Sequence, residues 1–314
     1  MASLSVNPER PEPARKSPPM RIAVCLKYVP DPGTIEVDPL TGLIDLGRVL
    51  YMMNPADESA LELALRLRPP QGTVTVFSVG PVAADRLLLD ALAAGADTAV
   101  RVWDDDLANT KPPITAILLA AALRTAGLPD LVLCGGHTVD RGSGTVPALL
   151  AEHLDWPVVT DVTQFELQAS YTAATRLRVL RRLDRGARAE TEVTLPAILG
   201  LETGPLHLRQ ASLPSLMRVK HIPIPQYGLE ELGLSPQDLH FPSMTLHEVM
   251  PPRPRARVMF TPDSAKSAPD RVAQIMSAGV AGKAGKIVDS GTPEQQADAI
   301  IEFLRQHGLL GQPA

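Results

Sequence analysis

The residues with the most chemical meaning in this 314-residue chain form one loop: Gly135, Gly136, His137, Thr138, Val139, Asp140, Arg141, Gly142, Ser143, Gly144, Thr145 and Val146. Before it, Leu131 to Cys134 is a short apolar run of strand-forming residues, which predicts a buried strand. After it, Pro147-Ala-Leu-Leu-Ala-Glu-His opens an apolar helix. Pro147 suits a first helical turn, where its missing N–H costs nothing, and Ser143 and Thr145 are candidate N-caps. A strand, a glycine-rich loop and a helix N-terminus bring backbone N–H groups and the positive end of a helix dipole to one place, which suits a phosphate. The same order of residues also describes an ordinary strand-to-helix turn. The spacing is neither that of G-x-G-x-x-G nor that of the P-loop. No serine, cysteine or threonine sits with a base in a known catalytic motif. His137 alone in a loop fits a structural or solvated role. Asp140 and Asp57 are the best-placed carboxylates, either to hold an adenosine hydroxyl or to cap a turn.

The flanking elements alternate between strand and helix. Arg21 to Val29 reads as a first central strand, broken by Pro30-Asp31-Pro32-Gly33. Ile35 to Asp38 alternates and meets a turn signal at Pro39 to Gly42, a small hairpin. Asn54 precedes Pro55 like a cap, before a helix over Glu58 to Arg68. Thr73 to Val79 is a strand, Ala83 to Ala94 a helix stopped by Gly95, Thr98 to Val102 a strand, and Ile114 to Ala126 a helix stopped by Gly127. This alternation predicts an α/β fold, a doubly wound, mostly parallel sheet. Ligands on such sheets sit at strand carboxyl ends near a switch point, here the loops after Val29, Val79 and Cys134. From 158 to 200 the pattern changes. Phe165 to Ala169, Thr175 to Leu183 and Glu190 to Leu199 read as an antiparallel extension turning at Asp184-Arg185-Gly186. Its arginines, from Arg176 to Arg188, alternate with apolar residues as on the solvated face of a hairpin.

The chain is mildly acidic, with formal net charge −5, which argues against nucleic acid as its main partner. Its two cysteines, Cys25 and Cys134, lie in apolar runs and read as buried free thiols, with no metal site supported. No apolar run is long enough to span a membrane. Residues 1–20 are rich in Pro, Glu, Arg and Ser without an apolar core, as in a disordered tail rather than a signal peptide, so a cytoplasmic protein is expected. Beyond Lys220 the chain is proline-rich, and a final amphipathic helix spans Pro293 to His307, capped by Thr292.

A series of motifs from Arg21 to Lys220 resembles the beta subunit of electron-transfer flavoproteins, in that family's order and near its spacing. The motifs are Lys27-Tyr-Val-Pro30-Asp31, Val37-Asp38-Pro39-Leu-Thr41-Gly42, Met53-Asn54-Pro55 with Ala60-Leu-Glu62, and Ser78-Val79-Gly80-Pro81. They continue through Ala91 to Asp97, Asp130 to Leu133, His153 to Pro157, Leu195-Pro196-Ala197 and Ser212 to Met217. The resemblance implies an adenine-nucleotide-binding α/β domain of the alpha-hydrolase-like kind over 21–220. It also implies a heterodimer in which an alpha subunit carries most of a redox FAD site that this chain completes, so that electrons pass from a dehydrogenase to an acceptor. The chain would be an electron carrier rather than a catalyst on its own. The family's beta subunit holds AMP, or in electron-bifurcating members the ADP part of a second FAD. By position that pocket takes Cys25, Asn54, Pro55, Ala56, Asp57, Val79 and the loop from Gly135 to Val146. The family usually has a second acidic residue two after Asp140, then Gln and Gly. Here Gly142, Thr145 and Pro147 stand there, which leaves AMP and a second FAD both open, while the N-terminal motifs tilt the expectation toward the FAD. The loop 202–209 takes the place of the family's dehydrogenase-docking loop, with Leu206 as its anchor. Residues 221–314 are expected to form a proline-rich arm and terminal helix that dock on the alpha subunit. The competing reading is a stand-alone adenine-nucleotide-binding regulatory module.

Overall fold

The computed structural model describes residues 19–38, 42–45, 47–107, 111–167, 176–204, 206–239, 265–276 and 291–306. Residues 1–18 of the expected N-terminal tail and the prolines around 251–254 lie outside them, while Met20, at the end of that expected tail, is buried in the core and its carbonyl accepts the Thr73 N–H at 3.0 Å. The chain divides into two units, Met1–Val249 and Met250–Ala314.

The first unit is built on one sheet. Its strands in chain order are β1 (Arg21–Cys25), β4 (Thr73–Val79), β5 (Thr98–Val102), β6 (Leu131–Gly135), β7 (Val158–Leu167), β8 (Arg176–Arg182), β9 (Arg188–Thr194), β10 (Ala197–Leu201) and β11 (Gln226–Tyr227). A separate antiparallel pair, β2 (Tyr28–Pro30) and β3 (Tyr51–Met53), lies outside it. Across the sheet the order is β11-β5-β4-β1-β6-β10-β7-β8-β9. The pairings from β11 to β7 are parallel, and β8 and β9 add an antiparallel hairpin at one edge. The mostly parallel α/β sheet with a small antiparallel extension is therefore present.

The helices cover both faces. α1 (Pro55–Leu67) and α2 (Asp85–Ala94) pack with Ile22, Val24, Val74, Leu131 and Leu133 on one side. α3 (Pro112–Thr125) and α4 (Val146–Leu154) pack with Ala23, Phe77, Val100 and Val132 on the other. Successive strand residues thus feed opposite cores, so strands buried on both faces read as continuous apolar runs. α1 starts at Pro55, earlier than its apolar periodicity suggests, because Pro is pre-shaped for a first turn and Asp57 and Glu58 complement the dipole there. α2 ends at Gly95, whose φ of 125° disfavours side chains.

Three expectations need correction. The apolar run Arg21 to Val29 is not one strand: β1 ends at Cys25, and Tyr28 to Pro30 leaves the sheet to pair with Tyr51 to Met53. Periodicity cannot see that break, because both pieces are apolar. Glu190 to Leu199 is two strands divided at Leu195–Pro196. β9 stays in the hairpin, while β10 inserts in parallel between β6 and β7, where all five of its residues are buried. Finally, the α/β body continues past residue 220. β11 pairs with β5, and Leu229 and Leu232 are buried in the same core as α3 and α4. The hairpin arginines behave as a solvated face: Arg176 and Arg178 pair with Glu190 and Glu192 across β8–β9.

In the second unit the described residues form α6 (Ala268–Met276) and α7 (Pro293–Gln306). Thr292 and Gln295 cap α7 reciprocally: the Gln295 N–H donates to Thr292 Oγ1 at 3.4 Å and the Thr292 N–H to Gln295 Oε1 at 3.0 Å. Ile300 and Ile301 on α7 are exposed.

Candidate functional site

From β1 the chain crosses to β4 on one side, while β6 lies on the other. The strand order therefore reverses between β1 and β6, which makes their carboxyl ends a topological switch point. A cavity of about 320 Å³ opens there. Of the expected residues, Cys25, Asp57, Val79, Gly135, Thr138, Asp140, Arg141, Ser143 and Val146 line it.

Asp57, in the first turn of α1, joins the two strand ends. Its Oδ2 accepts the Lys27 N–H at 2.7 Å and its Oδ1 the Gly135 N–H at 2.9 Å. Burial pushes its carboxyl up to about 7. The Lys27 N–H, the Asn54 side chain, the Gly135 N–H and the Lys27 charge all pull in the other direction without overcoming that burial. Asn54 does not cap α1 with its side chain. Its amide instead fastens the glycine-rich loop, donating to the His137 carbonyl at 2.9 Å and accepting the Val139 N–H at 3.2 Å. Ala56 lies behind Gly135, close enough that a Cβ on the glycine would come within 2.9 Å of the Ala56 Cβ.

Lys27 Nζ meets Asp140 Oδ2 at 2.5 Å across the mouth. Burial works against ionising Asp140, but hydrogen bonds from Lys27, Thr138 and the Arg141 N–H outweigh it and hold the carboxyl below its usual range. Gly136 does not line the cavity, since its N–H donates to the Leu201 carbonyl at 2.6 Å. His137 turns the other way, toward Asp161 and Glu202, with the ligand atoms of all three within 4.8 Å of one another. Those two carboxylates face Arg181 at 3.8 Å and Arg182 at 2.8 Å, so the cluster is already charge-matched. Thr145 occupies the N-cap position of α4 without a side-chain bond, and Ser143 faces the cavity instead of capping. Val139, Gly142, Gly144 and Thr145 shape the loop without lining the cavity. Gly142 and Gly144 take φ of 59° and 62°, where a side chain is strained.

Sequence reasoning missed Leu26, Lys27, Gly80, Pro81, Trp103, Leu107, Pro112, Thr115, Leu119 and Cys134, which complete the lining. Trp103 follows directly on β5, so the strand-end rule applied to a fourth strand would have found it. Trp103, Leu107 and Leu119 form an apolar wall suited to a flat ring. Lys27, Arg141 and the start of α4, whose first N–H groups have no intrahelical acceptor, suit an anion.

α1 also holds the segment after β10. Ser59 Oγ donates to the Leu206 carbonyl at 2.9 Å. Glu62 accepts Arg209 Nε at 2.9 Å and Nη2 at 3.1 Å, with Arg66 Nε at 2.7 Å from the other side. Burial works against ionising Glu62, but Arg209 and Arg66 outweigh it and bring its carboxyl to about 2. Leu206 is consequently half-buried against the core and does not protrude. The most exposed leucine of this segment among the described residues is Leu213, at 71%, at the start of α5 (Leu213–Val219), with Met217 at 61%. Because Glu62 has a native pKa below its unfolded value, its contribution is complete above about pH 4.5 and fades as pH falls through about 2. Glu62→Gln is expected to cost about 2 kcal/mol at pH 7, with the gap to wild type shrinking by about half at pH 3. Urea midpoints at the two pH values check this, and a gap independent of pH would rule it out.

No helix among the described residues is long and apolar enough to cross a membrane. A family model described as electron transfer flavoprotein domain matches residues 42–220. Subunit CarD of the caffeyl-CoA reductase-Etf complex of Acetobacterium woodii is 33% identical over 220 residues, covering 69% of this chain and 82% of that one. The electron transfer flavoprotein subunit beta of Bacillus subtilis is 30% identical over 239 residues, covering 76% and 90%. Protein FixA of Azotobacter vinelandii is 30% identical over 262 residues, covering 81% and 92%.

Proposed function

The chain belongs to the electron transfer flavoprotein family as a beta-subunit-like member, and from that premise we propose that it pairs with an alpha subunit, completes an FAD site there, and holds an adenine nucleotide in its own cavity. Its role in electron transfer is to place and tune the cofactor, because the chemistry of hydride and single-electron steps belongs to the flavin. The observation that carries the nucleotide assignment is the cavity at the β1/β6 switch point. It offers an apolar wall of Trp103, Leu107 and Leu119 for a base, and Lys27, Arg141 and the glycine-rich loop for phosphate. The nucleotide is AMP or the ADP portion of a second FAD, and the two share the groups that this cavity would bind. Co-expression with an alpha subunit followed by cofactor extraction decides between them. Two flavins without AMP identify a second FAD, and one flavin with one AMP identifies AMP. A heterodimer without nucleotide in the second position overturns the reading.

For partner docking, the segment 202–217 is the proposed contact with a flavin dehydrogenase. Leu213 and Met217 supply its exposed apolar surface, and the Glu62–Arg209 contact holds its base. The second unit is the proposed clasp on the alpha subunit. α7 carries Ile300 and Ile301 on its surface, as an amphipathic helix does when a partner covers one face. Deleting residues 250–314 should leave the α/β body folded and weaken the alpha subunit's affinity at least about tenfold, which is about 1.4 kcal/mol. Titration by calorimetry checks it, and unchanged affinity would exclude the clasp.

A further inference from the structure

The two cysteines are neighbours. Cys25 ends β1, and its partner in the parallel register with β6 is Cys134. Adjacent strands lie about 4.8 Å apart, inside the roughly 4.4–6.8 Å between Cα atoms that a disulfide spans. Both side chains lie on the same face of the sheet, with Phe77 and Val132, and both line the cavity at its floor. At about 320 Å³ the cavity has ample room for a molecule of peroxide beside them.

We propose that Cys25 and Cys134 are a modification site, a dithiol that hydrogen peroxide converts to a disulfide across β1 and β6. Cys25 is the more exposed of the two, at 7% against 3%, and meets the oxidant first. Its sulfur attacks one peroxide oxygen and the O–O bond breaks. Cys25 becomes a sulfenic acid, and the departing hydroxide takes the thiol proton and leaves as water. The Cys134 sulfur then attacks Cys25 Sγ, the S–O bond breaks, and the Cys134 proton leaves with the hydroxyl as a second water. Two electrons pass from the thiols to peroxide, so the reaction balances. The Cys25 side chain beside it and burial push the Cys134 thiol well above the usual range, so Cys134 is the poorer first nucleophile and the attack on peroxide falls to Cys25. Formation of the bond depends only on the two sulfurs. That a ligand in the cavity shields them is a corollary resting on the nucleotide reading above.

The test treats the full chain, as purified, with hydrogen peroxide in the presence and absence of saturating AMP. It is then unfolded, its remaining thiols are alkylated with N-ethylmaleimide, and its peptides are mapped by mass spectrometry. The expected product is one cross-linked peptide pair containing Cys25 and Cys134, with neither alkylated and both recovered after dithiothreitol. Two alkylated cysteines, or a sulfinic acid at Cys25 with Cys134 untouched, overturn the proposal. In Cys134→Ser the sulfenic acid has no resolving thiol, so dimedone should label Cys25, and absence of that adduct in folded protein also overturns it. A disulfide that forms equally fast with and without AMP supports the dithiol while counting against AMP as the occupant of the cavity.

Discussion

Asp57→Ala lowers the stability of the folded chain by about 3 kcal/mol, because it removes the acceptor of two part-buried backbone donors at about 1–3 kcal/mol each. The donors are the N–H groups of Lys27 and Gly135, held at 2.7 Å and 2.9 Å. They belong to the two strand ends that flank the switch point, so the cavity loses its floor along with its stability. The same residue sets a pH dependence. Its native pKa of about 7 lies above the unfolded value, so the folded state binds the proton more tightly. That contribution is complete below about pH 4 and is lost as pH rises through about 7. Between pH 5.5 and pH 8 it amounts to about 2 kcal/mol at 1.36 kcal/mol per unit. Urea unfolding of wild type and Asp57→Asn at those two pH values reads it. The variant should show a flatter profile, and parallel profiles would mean that Asp57 does not titrate in this range.

Gly135→Ala strikes the same contact from the other side. A Cβ there would lie 2.2 Å from Asp57 Oδ1, 2.9 Å from Ala56 Cβ and 3.0 Å from Asn54 Nδ2. Either the carboxylate abandons the Gly135 N–H or the end of β6 moves away from α1. Overpacking of this kind costs about 1–3 kcal/mol, and the broken hydrogen bond adds about 1 kcal/mol. The loss should therefore be about 3 kcal/mol, with weaker nucleotide binding. Removing the Asp57 side chain relieves the closest of these three contacts. The double variant should thus lose clearly less than the sum of the two single losses. Four unfolding midpoints close this cycle, and simple additivity would show that the two residues do not act through one contact.

These expectations depend on contacts that the linear chain does not reveal. Asp57 was legible as a well-placed carboxylate, and Gly135 as part of a glycine-rich loop. That the first accepts the N–H of the second across 78 positions is a fact of packing. Lys27 was legible as part of a motif, yet its place in the cavity, paired with Asp140, depends on β1 and β6 being neighbours. Trp103 escaped notice because nothing in its own surroundings marks it. It matters through the strand it follows.

What the sequence by itself determined is local. Apolar runs on a two-residue pleat, helices begun by proline and stopped by glycine, and a glycine-rich loop feeding a helix are properties of short stretches. They suffice for the elements from Thr73 to Cys134, for a mostly parallel sheet, and for the loop from Gly135 to Val146. What tertiary structure alone decided is adjacency. Strand order placed Cys25 beside Cys134, brought β10 into the middle of the sheet although only Leu195-Pro196 separates it from a hairpin strand, and drew Gln226 to Leu239 back onto a body that seemed to end near Lys220. It also tied the Leu206 carbonyl to Ser59 and left Leu213 outside. The physical reason is that backbone propensity and capping act within a few residues, whereas strand partners are chosen by the apolar area buried when whole faces meet. That area is a property of the assembled sheet rather than of any one of its strands.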